Sequence, residues 1–137
     1  MHSLTCLLID DDPDDREIFS IALEEADKTC EYVTATSAAE ALALLKSDPS
    51  FVPDFIFLDL NMPLVDGKEC LRELKEIPHL KKTPIIIYTT SSYEKDVDDT
   101  KQLGATHYLA KPFSIATLAE SLKSILKRQH LPFFLKS

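Results

Sequence analysis

Residues 4–26, LTCLLIDDDPDDREIFSIALEEA, run from an unbroken apolar segment, Leu4 to Ile9, through a block of acids into a stripe of Ile18, Phe19, Ala22, Leu23 and Ala26. Apolar residues without polar alternation read as a strand covered on both faces, as in a parallel sheet. The stripe has the spacing of one face of an amphipathic helix. The same alternation recurs along the chain. Further apolar runs lie at Tyr32 to Ala35, Phe55 to Leu58, Ile85 to Tyr88 and Thr106 to Ala110. Between and after them, helical stripes carry Ala38, Ala41, Leu42 and Leu45, then Cys70, Leu71 and Leu74 within Lys68 to Glu76, and finally Ile115, Leu118, Leu122, Ile125 and Leu126. A fourth helix, Tyr93 to Leu103, offers mainly Val97 and Leu103 to a core, so its attachment should be loose, and Gly104 reads as its left-handed C-cap. Five strands alternating with five helices predict an α/β fold with an open, doubly wound parallel sheet.

The 137 residues fit one domain with a sizeable core. Fifteen Lys and Arg against 23 Asp and Glu give a net charge of −8, the wrong sign for binding a phosphate backbone, so no nucleic acid partner is expected. Two glycines are too few for a phosphate-cradling glycine loop. Cys6, Cys30 and Cys70 are far apart and form no C-x-x-C pair, so they read as small apolar residues in a reducing compartment. His2, His79, His107 and His130 have no ligand spacing and read as incidental. No leader pattern or long apolar span is present, which leads to the expectation of a cytoplasmic protein with no membrane partner.

In doubly wound sheets, ligands sit beyond the carboxyl ends of the strands. Those ends carry Asp10-Asp11, Asp59, Thr89 and Lys111-Pro112. Converging carboxylates repel one another unless a cation lies between them, and a hard divalent ion such as Mg2+ suits an all-oxygen cluster. With charge neutralised, one carboxylate can attack a phosphoryl group while a lysine and a hydroxyl stabilise its equatorial oxygens.

The motifs I-D-D-D-P, L-D-L-N-M-P-L-V-D-G, Y-T-T-S-S and Y-L-A-K-P-F, spread over residues 4 to 128 in order, resemble the receiver domain of two-component response regulators. That resemblance implies a flavodoxin-like five-stranded sheet in the order 2-1-3-4-5, a receiver domain over residues 1–128 and an apolar tail over 129–137. It implies that Asp59 accepts the phosphoryl group, with Mg2+ held by Asp10, Asp11, Asp59 and the main-chain carbonyl of Asn61. Thr89 and Lys111 would bind the phosphoryl oxygens, and Lys111-Pro112 would be a cis peptide. Thr89 and Tyr108 would form a switch linking the site to the face of helix 4, strand 5 and helix 5. The donor would be a sensor histidine kinase or a histidine phosphotransfer protein, and the output a downstream protein target. The chain would thus be a stand-alone phosphoacceptor, with autocatalytic phosphotransfer and self-dephosphorylation but no enzyme activity towards other substrates. Thr90, bulkier than the Ala or Gly common there in the family, would narrow access for small phosphodonors.

Other residues have plainer readings. Asp12, Pro13, Asp14 and Asp15 have the grammar of a helix start, with Asp12 as N-cap, and Asp66-Gly67 reads as a turn with a cap. Leu131 to Leu135 is too apolar for water; it should fold back on its own domain or bridge a homodimer, which could also form through the helix 4, strand 5, helix 5 face. Two rival functions remain: a non-phosphorylated pseudo-receiver adaptor, and a Mg2+-dependent phosphohydrolase with an Asp nucleophile. Phosphohydrolases of that kind commonly carry a second Asp two residues after the nucleophile, where this chain has Asn61.

Overall fold

The five apolar runs become five strands of the computed structural model, which describes residues 3–62 and 66–135. The elements are β1 (Thr5–Ile9), α1 (Pro13–Ala26), β2 (Glu31–Ala35), α2 (Ala38–Ser47), β3 (Phe55–Leu58), α3 (Gly67–Glu76), β4 (Ile85–Thr89), α4 (Glu94–Gln102), β5 (His107–Ala110), α5 (Ile115–Leu126) and β6 (Phe134–Leu135). A short 3-10 turn, Pro78–Leu80, lies between α3 and β4. All pairings are parallel, in the order β2-β1-β3-β4-β5-β6.

Alternate residues of the strands feed two cores. Leu7, Ile9, Ile56, Leu58, Ile85, Ile87 and Tyr108 face α2 and α3 on one side. Cys6, Leu8, Phe55, Phe57, Ile86, Tyr88 and Leu109 face α1 and α5 on the other. Burial on both faces is why these strands have no polar alternation. The predicted stripes supply the helix faces, except that Ile18 of α1 is exposed, at the margin of its apolar arc. Thr100 is the one buried residue of α4, while Val97 and Leu103 only lean on the core, as the thin stripe predicts.

Local signals terminate the helices where expected. Asp12 accepts the Asp14 N–H at 2.9 Å, with Pro13 in the first turn, and Asp66 caps α3 by accepting the Lys68 N–H at 2.9 Å. Gly104 ends α4 with φ +98, a conformation that favours glycine. Gly67 has a different reason for being glycine: a Cβ there would lie 2.6 Å from the Leu60 Cα, so only hydrogen lets α3 approach the exit of β3.

The sheet has six strands rather than the expected five. After α5, Arg128 adopts φ 53, and its guanidinium lies over the Phe55 ring, 4.8 Å from the centroid. The chain then returns so that Phe134 and Leu135 pair with Tyr108 and Leu109. The physical cause is the edge of β5, whose backbone groups and apolar side chains would otherwise face water. The Tyr108 N–H donates to the Phe133 carbonyl at 2.8 Å, Phe134 stacks on the Tyr108 ring, and Leu135 is buried. Of the two placements open for the apolar tail, the structure has the intramolecular one. The His107 Nδ1 lies 2.9 Å from the Pro132 carbonyl and the His79 Nε2 2.9 Å from that of Leu45, so both rings hold loops in place.

Candidate functional site

The carboxyl ends of β1, β3, β4 and β5 deliver Asp10, Asp59, Thr89 and Lys111 to one edge of the sheet. Ladder bonds fix the two acids: the Asp10 N–H donates to the Ala35 carbonyl at 3.1 Å, and the Asp59 N–H to the Ile9 carbonyl at 3.0 Å. Each carboxylate then accepts an N–H from two residues onward, Asp10 from Asp12 and Asp59 from Asn61, both at 3.0 Å. These turns aim the remaining oxygen of each into the site.

Lys111 joins the acids together. Its Nζ lies 3.0 Å from Asp10, 2.6 Å from Asp15 and 3.1 Å from Asp59, with its side chain only 8% exposed. The Tyr88 ring lies beneath the ammonium at 5.1 Å. No cis peptide occurs among the described residues, so the Lys111-Pro112 bond is trans, contrary to the expectation from resemblance. The trans form is the lower-energy isomer by about 0.5–1 kcal/mol, and the long, flexible lysine stem reaches the acids from it.

Electrostatics follow from burial. Asp10 is fully buried, and desolvation raises its pKa from 3.8 to about 6, against the Asp12 N–H and Lys111, which favour the charged form; the nearby charge of Asp59 adds to the rise. Burial works to lower the Lys111 pKa, yet the hydrogen bond it donates to Asp15, the charge of Asp59 and Asp10 outweigh it and hold the ammonium protonated.

Carboxylate oxygens of Asp10, Asp15 and Asp59 lie within 4.8 Å of one another, a donor set suited to a hard divalent ion. Asp15, read from sequence as a first-turn acid, is therefore a site residue. Helix side chains lean towards the N-terminus, and α1 starts at this edge, so Asp15 points back over the strand ends. Its position three residues after the cap was the signal available. Asp11, expected as a metal ligand, is half-buried beside the cluster and is not one of those three.

Thr89 is fully buried, and its hydroxyl accepts the Asn61 Nδ2–H at 3.0 Å; the same amide reaches the Thr90 hydroxyl at 3.3 Å. Asn61 thereby ties the loop after β3 to the end of β4 through its side chain, a role that the expected carbonyl ligation did not include. The Tyr108 ring lies fully inside, its hydroxyl donating to the Ser91 carbonyl at 2.8 Å. Ser91 in turn donates to Asp96 of α4 at 2.6 Å, and Lys68 of α3 bridges Asp96 and Asp99 at 2.8 and 2.9 Å. A continuous polar path thus runs from the end of β4 to α4. His2 and, within the motif after β3, Pro63, Leu64 and Val65 lie outside the described residues.

The family model for the response regulator receiver domain matches residues 6–123. The chain belongs to the receiver-domain family. Among curated relatives, response regulator Rcp1 of Synechocystis sp. is 31% identical, over 87% of this chain and 84% of that protein. The phosphate regulon transcriptional regulatory protein PhoB of Pseudomonas aeruginosa is 34% identical, and this chain spans 54% of its length. Among solved structures, the phosphorylated cyanobacterial phytochrome response regulator RcpA has a TM-score of 0.83 at 31% identity, covering 96% of this receiver and 99% of that chain. The Mn2+-bound form of Rcp1 has a TM-score of 0.75 at 30% identity, covering 94% and 99%.

Proposed function

We propose that this receiver acts as a stand-alone response regulator that accepts a phosphoryl group on Asp59. The observation that carries this reading is Lys111, whose buried ammonium contacts Asp59 and Asp10 at the carboxyl edge of the sheet, with the Thr89 hydroxyl ending the neighbouring strand. In the proposed reaction the Asp59 oxygen that faces Lys111 attacks the phosphorus of a phosphohistidine on a histidine kinase or phosphotransfer protein. The P–N bond breaks, the imidazole leaves and takes up a proton, and an acyl phosphate results. Lys111 and Thr89 meet the negative charge on the phosphoryl oxygens.

Asp10, Asp11, Asp59 and the Asn61 carbonyl would hold Mg2+, which supplies the charge neutralisation that lets two anions approach. Asp15 supports the site by keeping Lys111 charged and oriented. The Tyr108 hydroxyl on Ser91 and the Ser91–Asp96 bond support a coupling of Thr89 to α4, so that phosphorylation alters the α4, β5, α5 face read by a downstream protein. Purified protein given Mg2+ and acetyl phosphate should gain one phosphoryl group by intact mass, and Asp59→Asn should gain none. Equal labelling of both would overturn the assignment. A phosphohydrolase reading is disfavoured by Asn61, which occupies the place of a general acid and spends its amide on Thr89 and Thr90.

A further inference from the structure

Cys6 and Cys30 are distant in sequence and belong to different elements, yet their Sγ atoms lie 3.4 Å apart. Both side chains enter the core beneath α1 and α5, Cys6 from the start of β1 and Cys30 from the turn that leads into β2. Cys6 is fully buried and Cys30 only partly, so Cys30 is the outer residue of the pair. A cleft of about 240 Å³ is lined by Leu23, Asp27, Cys30 and Tyr32 among others. The third thiol, Cys70, is buried in the opposite core beneath α2 and α3 and has no part in the pair.

We propose that Cys6 and Cys30 form a reversible intramolecular disulfide when the protein meets a small hydroperoxide. The Cys30 thiolate attacks the peroxide, whose O–O bond breaks, giving a sulfenic acid and releasing an alcohol or water. Cys6 sulfur then displaces the sulfenic oxygen as water, its own proton leaving with it, and the S–S bond forms. The two sulfurs lose two electrons in all and the peroxide takes them up. Bonding requires the sulfurs to close by about 1.4 Å towards a normal S–S length. The hydrogen bond between the two thiols holds the Cys30 pKa below the ordinary thiol value, although burial and the charges of Asp27 and Asp54 oppose it; the same bond, with burial, raises that of Cys6. This division matches an attacking outer thiolate and a resolving inner thiol. The pair sits at the end of β1 opposite Asp10, so the inference stands independently of the phosphoacceptor reading.

The test uses the full chain, reduced and then exposed to hydrogen peroxide, with thiols counted by alkylation after denaturation. Free thiols should fall from three to one, the intact mass should drop by two hydrogens, and peptide mapping should join Cys6 to Cys30, all reversed by dithiothreitol. Cys70→Ser should still close the bridge, and Cys30→Ser should keep both remaining thiols. Retention of three thiols, a Cys30 that proceeds to the sulfinic acid with Cys6 still free, or bridging only between chains would each overturn the proposal. The wild-type map decides the matter without reliance on any variant's folding.

Discussion

Asp10 is a buried carboxylate whose proton is retained to about pH 6, against 3.8 for an ordinary Asp. The folded state therefore binds more protons than the unfolded state between those values. Its contribution to stability falls as pH rises through that window, because the unfolded chain ionises first and freely. Metal-free protein titrated with urea should lose unfolding free energy from about pH 4 to about pH 6 relative to Asp10→Asn, and the variant should be the more stable at pH 7, by about 1 kcal/mol or more. A variant with the same pH slope as the wild type would place the strain elsewhere. Lys111 keeps the cost bounded by contacting all three acids. That shared contact also explains why Asp15 escaped a reading based on helix grammar: the same residue type at the same position serves a cap-adjacent role and a site role, and only the fold chooses.

Among the elements, β6 alters the picture most. Two residues complete the sheet, and the Phe134 ring stacks on Tyr108 at 5.8 Å with Lys101 over Phe133 at 5.8 Å. The segment thus lies across the β5 edge of the face proposed to carry the signal, and a partner reading Tyr108 must contend with it. Truncation after Arg128 should leave the mass by light scattering unchanged, because the tail buries its apolar residues within its own chain, yet should lower the unfolding free energy by about 2–4 kcal/mol from lost burial of Leu135 and Phe134. A fall in mass with unchanged stability would assign the tail to a second copy instead. α4 stands at the opposite extreme, held by Thr100, the flanks of Val97 and Leu103, and the Lys68 ion pairs rather than by a broad apolar face. An element so attached is the kind that the proposed switch would move.

At the scale of the whole molecule, the net charge of −8 includes a group of carboxylates gathered at one end of a parallel sheet. Mg2+ should stabilise the native chain by about 2.7 kcal/mol when its concentration reaches a hundred times its Kd. Thermal unfolding with and without MgCl2, against NaCl at matched ionic strength, separates site binding from general screening; equal midpoints would argue against a metal site. None of the helices described is long and apolar enough to cross a membrane.

Strands, helices and their caps were legible in the sequence because their causes are local: unbroken apolar runs, stripes at helical spacing, Asp12 and Asp66 before helix starts, and Gly104 after α4. The strand-end location of Asp10, Asp59, Thr89 and Lys111 was legible too, since a doubly wound sheet fixes where its carboxyl ends lie. Tertiary structure alone decided the rest, which depends on meetings between residues remote in sequence. Asp15 joins Lys111 across 96 positions, Cys6 meets Cys30 across 24, and the tail finds the exposed edge of β5. Spacing along a chain specifies which face a residue takes; which residues share that face depends on how the elements pack.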